Sequence, residues 1–491
     1  MKTKFIKTAF GIAIASLLTS SCGDFLEESS QDEFKPESVS AYQELLNGEG
    51  YALTTTIDPI SHLFTDDVKG VKANYNSYYT EENLAMQDVF AWQPDMDQSL
   101  KDKSLDKYYQ SYQDLYHLVM VCNTVLEGVD KVDGTNAERA QTRGEALALR
   151  AYYYWYLVNL YAMPYNMAGT TPDKLQGVPL VLTSEIRDEG PKRATVAQVY
   201  EQMTKDIEEA CTLLETTKST NISKFRINYV AANLLASRIY LYMEEWDKVI
   251  EHAGKALEGA PSMCNLNSYA LTPSSNIMNS TNNFISSNFP ETIFCGGNRS
   301  NFVSVSATLI CPSDELINSF SADDKRLGIA FMAQSWAYWK QNMIKFGAAE
   351  QGYAWRTAEL YLNRAEAYAE KFKAGDAASG EKAVNDINVI RQNRIATASY
   401  KPYTLGSADD LIQFIRDERR RELCFENPHR WFDLKRYGMP ELKHTWVDAT
   451  GNRTTYTLEK NDVGYALPIP TAATTANSNL EQNPLHAVRK G

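Results

Sequence analysis

The stretch IRDERRREL at residues 415–423, followed by RWFDLKRYG at residues 430–438, carries the strongest pattern in this chain. Its acidic and basic residues alternate at three- and four-residue spacings, which bring side chains together on a helix surface. We therefore expect a network of ion pairs that holds a helix against the turn after it. The pattern does not favour a catalytic pair of carboxylates, because the neighbouring arginines would keep both acids ionised.

Long helices are predicted upstream of this stretch, where apolar residues recur every three or four positions. One spans about residues 103–129. A second spans residues 138–161, where small and aromatic residues on every side indicate complete burial. Thr195 and Gln198 have the spacing of a capping box, which predicts the start of a third helix.

Two stretches have the residue spacing of tetratricopeptide helix pairs. The first runs from Ala236 to Pro261, and a second, less regular copy runs from Arg356 to Arg391. We expect these units to form a helical layer in which each pair buries one face against a neighbour. A purely structural role for the layer and binding of a partner chain are both compatible with this pattern.

Two segments lack helical periodicity. Residues 262–345 are rich in Ser, Asn and Thr up to about Asn301, and short alternating stretches follow at 302–309 and 336–346. Residues 66–100 are also polar and contain scattered aromatic residues. We interpret both segments as irregular insertions of loops and small strands, where binding residues are commonly placed. The sequence thus predicts a mainly α fold with a tetratricopeptide-like helical layer and a loop-rich, short-strand ligand-binding face.

The chain begins with a short leader that ends at a cysteine. Three lysines within the first seven residues precede an apolar run from Ala9 to Leu18, which is too short to span a bilayer. We predict that residues 1–21 are a signal peptide and that the thiol of Cys22 is acylated, which would anchor the mature protein to a membrane. An ordinary secretory signal with an incidental cysteine is the alternative.

The charge balance restricts the kind of ligand. The 491 residues carry a formal net charge of -13, and removal of residues 1–21 with their three lysines would make it -16. A surface this acidic offers no basic footprint for nucleic acid or an anionic lipid. No long Gly, Ser or Pro linker divides the chain, so residues 22–491 are predicted to form a single domain.

Six cysteines follow Cys22. Three of them lie on apolar helical faces and are predicted to be buried thiols: Cys122, Cys211 and Cys424. A disulfide among Cys264, Cys295 and Cys311 is chemically allowed in an exported protein, but their spacing assigns no pairing.

The sequence contains no recognised catalytic or metal-binding pattern. Its six histidines lack metal-ligand spacing, and neither a nucleophile elbow nor a phosphate-binding glycine loop is present. We expect a protein without a metal, a cofactor or catalytic residues. A glycoside hydrolase is the enzymatic alternative, because a carboxylate pair has no fixed spacing among the 62 acidic residues.

Several motifs resemble those of SusD/RagB-type outer-membrane lipoproteins. They comprise the two charged stretches together with CGDFLE at 22–27, AELYL at 358–362, LPIP at 467–470 and QNP at 482–484. These motifs occur in the family's order over the whole mature chain, and their combination is specific although each alone is short.

The resemblance implies a non-enzymatic protein on the outer surface of a Gram-negative bacterium, attached to the outer membrane through lipidated Cys22. Such a protein binds a glycan and delivers it to a partner, a SusC-like TonB-dependent outer-membrane transporter, which its helical side is expected to dock. A peptide ligand within the same family and a structural adaptor without a small ligand are the alternatives.

Candidate ligand contacts are chosen by position and residue type. Aromatic faces stack on sugar rings, while amide and guanidinium groups bond to hydroxyls. The candidates are Asn74, Tyr75, Tyr78 and Trp92 from the early segment, and Arg299, Asn301 and Phe302 from the middle one. They lie outside the family motifs, so packing within the loop is the alternative for each.

Overall fold

Fifteen α-helices form most of the chain that the computed structural model describes. The described residues are 36–53, 57–73, 76–185, 189–218, 223–269, 284–298, 309–332, 342–343, 351–426 and 428–491. The helices are α1 (Val39–Leu45), α2 (Glu81–Phe90), α3 (Met96–Asp102), α4 (Ser111–Gly128), α5 (Asn136–Tyr161), α6 (Val196–Thr217), α7 (Tyr229–Met243), α8 (Trp246–Gly259), α9 (Asp314–Ser319), α10 (Lys325–Ala330), α11 (Thr357–Lys373), α12 (Ala377–Gln392), α13 (Ala408–Leu423), α14 (His429–Arg436) and α15 (Thr471–Ala476). The mainly α fold expected from the sequence is confirmed.

Helix α5 lies at the centre of the apolar core. It starts at a capping box, in which the Thr135 hydroxyl accepts from the Glu138 N–H at 3.2 Å and the Glu138 carboxylate accepts from the Thr135 N–H at 2.9 Å. From Gly144 to Tyr161 every side chain is buried, as the aromatic residues on all sides of this segment predict. The capping box at Thr195 and Gln198 also forms and starts α6.

The predicted tetratricopeptide-like units are helix pairs. Helices α7 and α8 form the first pair and α11 and α12 the second, and α11 packs against both helices of the first. Between the pairs, Arg238 of α7 donates to Glu359 of α11 at 2.7 Å, and Asn363 donates to Ser237 at 3.0 Å. A separate apolar cluster joins α11, α12 and α13, so each pair buries one face against its neighbour.

Short strands form five two-stranded antiparallel sheets among the described residues. The strands are β1 (Val68–Gly70), β2 (Gln176–Pro179), β3 (Arg193–Thr195), β4 (Thr292–Asn298), β5 (Ile310–Pro312), β6 (Phe331–Met332), β7 (Asn342–Met343), β8 (Gln351–Arg356), β9 (Leu442–Val447) and β10 (Arg453–Leu458). The pairs are β1 with β5, β2 with β3, β4 with β8, β6 with β7 and β9 with β10.

Three parts of the sequence interpretation differ from the structure. The segment 66–100 contains helices α2 and most of α3, because Ala85, Met86, Val89 and Phe90 bury one helical face. Helices α9 and α10 lie within the segment 262–345, interpreted as loops and small strands; α9 is capped by the Ser313 hydroxyl, which accepts from the Leu316 N–H at 3.2 Å. Helix α4 starts only at Ser111, after a 3-10 turn at Asp106–Tyr109. The predicted strand at 302–308 lies outside the described residues.

The charged stretch forms α13 and α14, and its ion pairs join these helices as predicted. Arg419 of α13 donates to Asp433 of α14 at 2.8 Å, and Arg436 donates to Glu366 of α11 at 2.6 Å. Burial alone would raise the pKa of Glu366, but Arg436 and Arg416 lower it to about 2. Glu366 is therefore held ionised, which suits a structural ion pair.

The same network extends to the strand pair β4 and β8. Arg356, the last residue of β8, donates to Glu426 at 2.7 Å, Glu422 at 2.8 Å and Glu291 at 3.2 Å. Arg394 donates to Glu291 at 2.7 Å and to Glu422 at 2.9 Å. All five side chains are buried, so the base of the strand pair is fixed to the helical scaffold by charge-assisted hydrogen bonds.

The six described cysteines are all free and buried, so Cys264, Cys295 and Cys311 form no disulfide. Cys122 and Cys211 lie on buried helical faces as predicted, and Cys424 follows the end of α13. Among the described helices, none has a stretch long and apolar enough to cross a bilayer.

Candidate functional site

The structure describes two of the seven candidate ligand contacts. Tyr78 is half-buried at the end of a 3-10 turn, Asn76–Tyr78, and Trp92 follows α2. Five candidates lie outside the described residues: Asn74, Tyr75, Arg299, Asn301 and Phe302. Cys22 also lies outside them.

Trp92 is a core residue, which corrects its selection as a ligand contact. Its side chain is 1% exposed, and its indole N–H donates to the Phe64 carbonyl at 3.1 Å. The ring stacks on His444 with centroids 4.1 Å apart. The apolar spacing of α2 is the signal that could have shown this, because it directs the end of the helix into the core.

The described ends of the two predicted ligand segments meet at the β1–β5 pair. Gly70 at the end of β1 pairs with Ile310 at the start of β5, and the Val71 N–H donates to the Leu309 carbonyl at 2.9 Å. The early segment leaves this pair after Val71, and the middle segment enters it before Leu309. The fold therefore tethers the flanks of both candidate segments to each other.

Gly70 lets this pair approach the β9–β10 hairpin. A Cβ atom at position 70 would lie 2.4 Å from the Thr445 carbonyl oxygen of β9, a distance that no side-chain carbon tolerates. Glycine is thus required for the close approach of the two backbones.

Tyr79 ties the early segment to the turn of that hairpin. Its hydroxyl accepts from the Ala73 N–H at 3.1 Å and donates to the Asp448 carbonyl at 3.2 Å. We call the described part of this surface, residues 71–73, 76–79 and 448–452, the candidate face. Tyr79 holds the two halves of the candidate face in a fixed relation.

Asp448 makes the hairpin turn rigid. Its carboxylate accepts from the N–H groups of Thr450, Gly451 and Asn452 at 2.8 to 2.9 Å. Hydrogen bonds from the Thr450 hydroxyl and the Asn452 N–H groups lower the pKa of Asp448 to about 2. This turn is not among the ligand contacts predicted from the sequence. Its signal is Thr450-Gly451-Asn452 between two alternating stretches, which is typical of a hairpin.

Tyr78 is presented beside a capped helix. The Thr80 hydroxyl accepts from the Asn83 N–H at 3.2 Å and caps α2, and the Asn83 amide donates to the Tyr78 carbonyl at 2.8 Å. Asn76 and Ser77 are exposed, and Leu84 on α2 is 39% exposed. This surface offers an aromatic ring, an amide and apolar carbon, which is the chemistry that sugars require.

The acids of the charged network are not arranged for catalysis. Burial alone would raise the pKa of Glu422, but Arg394 and Arg356 hold it well below its ordinary value. Burial would also raise the pKa of Glu418, but Arg326 and Arg421 lower it to about 2. Acids held ionised in this way cannot donate a proton at neutral pH. In the described part of the chain, no group of three His, Cys, Asp or Glu residues is placed to hold a metal ion.

Two family models match separate parts of the chain. A SusD-like model described as "Starch-binding associating with outer membrane" matches residues 24–241, and the SusD family model, SusD_RagB, matches residues 330–486. The search of curated proteins gave no match.

Solved structures share the fold over nearly the whole chain. A SusD superfamily protein from Bacteroides fragilis has 23% identity and a TM-score of 0.68, covering 90% of this chain and 99% of its own. A SusD-like carbohydrate binding protein from Bacteroides vulgatus has 21% identity and a TM-score of 0.66, covering 91% and 98%. A putative sugar binding protein from Bacteroides vulgatus has 22% identity and a TM-score of 0.68, covering 92% and 99%.

The mainly helical scaffold with short strand pairs is thus the SusD-like fold. With both family models matching in sequence order, the chain belongs to the SusD/RagB family.

Proposed function

We propose that this protein is a cell-surface lipoprotein that binds a glycan and delivers it to a partner TonB-dependent outer-membrane transporter. The match of residues 24–241 to a starch-binding, outer-membrane-associated family carries the proposal. The SusD-like carbohydrate binding protein with the same fold agrees with it.

The candidate face supplies the chemistry for sugar binding. Tyr78 can stack on the C–H side of a sugar ring, while Asn76 and Ser77 beside it can bond to hydroxyl groups. The segments that carry Asn74, Tyr75, Arg299, Asn301 and Phe302 start or end at the β1–β5 pair, which brings their flanks to the same place. We propose that these residues complete the ligand site.

The proposed role is binding without catalysis. SusD family proteins are binding proteins rather than enzymes. The acids Glu366, Glu418 and Glu422 are buried and paired with arginines, so they are unsuited to general acid catalysis. A glycan should therefore leave the protein unchanged.

Anchoring and delivery complete the proposal. Cys22 follows a leader typical of exported proteins, and an acyl chain on its thiol would hold the protein at the outer membrane. The stacked pairs α7–α8 and α11–α12 offer an extended helical surface, and we propose that this side docks the transporter.

Calorimetric titration with a panel of soluble oligosaccharides tests the binding site. We expect saturable binding of at least one glycan, and a loss of about tenfold or more in affinity for both Tyr78→Ala and Phe302→Ala, because each removes a stacking face. Tyr368→Ala, a half-buried tyrosine on α11, is the matched control and should bind as the unaltered protein does. Full affinity in both site variants would reject the site, and a panel in which no oligosaccharide binds would reject the ligand class.

A further inference from the structure

A second concave surface lies apart from the candidate face. A pocket of about 630 Å³ opens between α4, α15 and the segments on either side of the β2–β3 pair. Its walls are built largely from three tyrosines and three prolines: Tyr109, Tyr112, Tyr116, Pro179, Pro191 and Pro470.

The tyrosine wall is held in place by hydrogen bonds to backbone carbonyls and by ring packing. The Tyr109 hydroxyl donates to the Pro468 carbonyl at 2.8 Å, and the Tyr116 hydroxyl donates to the Pro179 carbonyl at 2.8 Å. Tyr112 packs between Tyr116 and Tyr161, with ring centroids 4.8 and 5.1 Å away. Because the hydroxyls of Tyr109 and Tyr116 are engaged by backbone carbonyls, the rings of these two residues offer mainly carbon to a ligand.

The opposite wall is the alanine face of α15, and both ends of this helix are tied down. Asp97 accepts from the Thr471 N–H at 2.9 Å and from its hydroxyl at 2.7 Å. The Asn477 amide donates to the Pro191 carbonyl at 2.9 Å. Hydrogen bonds therefore fix both walls of the pocket.

We propose that this pocket binds a small molecule with a planar apolar body and a polar edge. The volume lies within the range of about 300 to 1,000 Å³ typical of small-molecule sites. A protein partner would need about 800 Å² of surface on each side, more than such a pocket provides. This inference does not rest on the proposed glycan function.

The residues that line the pocket indicate which kind of ligand it can bind. Aromatic and proline rings on one side and alanine methyl groups on the other form walls suited to a flat apolar body. Three charged residues also line the pocket: Asp97, Lys101 and Asp106. The Asp97 carboxylate is already engaged by Thr471. The amides of Gln110 and Gln113 are exposed among the lining residues and can bond to a polar edge.

Titration with N-phenyl-1-naphthylamine, a fluorophore with a planar naphthalene body and a polar N–H group, tests the proposal on the intact protein. We expect a saturable fluorescence increase with one site per chain. Ala473→Phe places a ring inside the pocket and should weaken binding about tenfold or more. Thr475→Phe, on the same helix but not lining the pocket, should bind as the unaltered protein does.

A melting curve establishes that each variant is folded before it is compared. Should Ala473→Phe not fold, Ala476→Phe takes its place, because Ala476 lines the same wall from an exposed position. Absence of saturable binding by the unaltered protein would overturn the proposal. So would unchanged binding by a folded pocket-filling variant, whatever the outcome of the glycan titrations.

Discussion

Tyr79 connects two segments of the candidate face through a single hydroxyl group. It accepts from Ala73 and donates to Asp448, so its loss would leave a backbone N–H without its partner and release the hairpin turn. We expect Tyr79→Phe to lower the free energy of unfolding by about 1 to 3 kcal/mol and also to weaken glycan binding. Urea unfolding and calorimetry measure the two effects.

The matched control is Tyr465→Phe, which removes the hydroxyl that donates to the Pro440 carbonyl at 2.5 Å. It should lower stability by a similar amount and leave glycan affinity unchanged. Equal affinities for the Tyr79 and Tyr465 variants would show that Tyr79 does not position the ligand segment.

Lys435 of α14 is a buried lysine. Its ammonium group lies at the C-terminal end of the central helix α5. Its ammonium group donates to the Ala162 carbonyl at 2.7 Å and to the Asn159 carbonyl, which places a positive charge at the negative end of α5. Burial lowers the pKa of Lys435 to about 7. Between about pH 7 and the ordinary lysine pKa, the unfolded chain therefore binds more protons than the folded one.

This difference predicts how stability changes with pH. The contribution of Lys435 should become more favourable as the pH rises above 7, by up to about 1.4 kcal/mol per pH unit. The free energy of unfolding of the unaltered protein minus that of Lys435→Met should increase from pH 7 to pH 9 in urea titrations. Lys460→Met, at an exposed position, is the control. If the difference in free energy of unfolding between the unaltered protein and Lys435→Met stays constant from pH 7 to pH 9, this would contradict the lowered pKa of Lys435.

At the scale of elements, the buried charge network joins the strand pair β4–β8 to α13. Arg394 bonds to Glu291, Glu422 and the Cys264 carbonyl, and its removal would leave buried carboxylates with fewer counter-charges. We expect Arg394→Met to lower the free energy of unfolding by about 3 to 5 kcal/mol, measured by urea unfolding.

Arg143→Met is the comparison, because Arg143 pairs with Asp130 and Glu209 at partly exposed positions. Arg143→Met should lower the free energy of unfolding by less than about 1 kcal/mol. Equal losses for the two variants would show that burial does not determine the strength of the network.

The elements that sequence predicted well are those with a local signal. Helix α5 follows from its small and aromatic residues on all sides, the start of α6 follows from its capping box, and the pairs α7–α8 and α11–α12 follow from the spacing of small and aromatic residues. Helix α2 was missed because its polar residues outweighed four apolar positions. Strand β4 lies in a segment predicted to contain small strands, but its bounds and pairing were not predicted, because its partner β8 lies more than 50 residues later and a pairing at that distance has no local signal.

The candidate site was less predictable than the fold, because its contacts join residues that are far apart in the sequence. Residue type marked both Tyr78 and Trp92 as aromatic rings in a polar segment, but only tertiary packing decides which ring is buried. Trp92 packs against His444, a residue of β9 more than 300 positions away, and no local pattern shows that contact. The β1–β5 pairing that tethers the two ligand segments is likewise long-range.

At the scale of the whole molecule, the proposed attachment to the membrane depends on one residue, Cys22. We predict that Cys22→Ser abolishes incorporation of an alkyne-tagged fatty acid and moves the protein out of the membrane fraction, because no other acylation point follows the leader. Cys211→Ser, which alters a buried thiol, should keep both properties. Labelling that persists in Cys22→Ser, or that never occurs in the unaltered protein, would contradict the lipid anchor.

The central claim is that the protein captures a glycan and leaves it unaltered. Equilibrium dialysis against a mixture of soluble oligosaccharides, followed by mass spectrometry of the sugars on both sides, tests this most directly. The predicted result is enrichment of one class of glycan on the protein side and its recovery with unchanged mass. A mixture distributed equally across the membrane, or recovery of shortened chains, would contradict the claim.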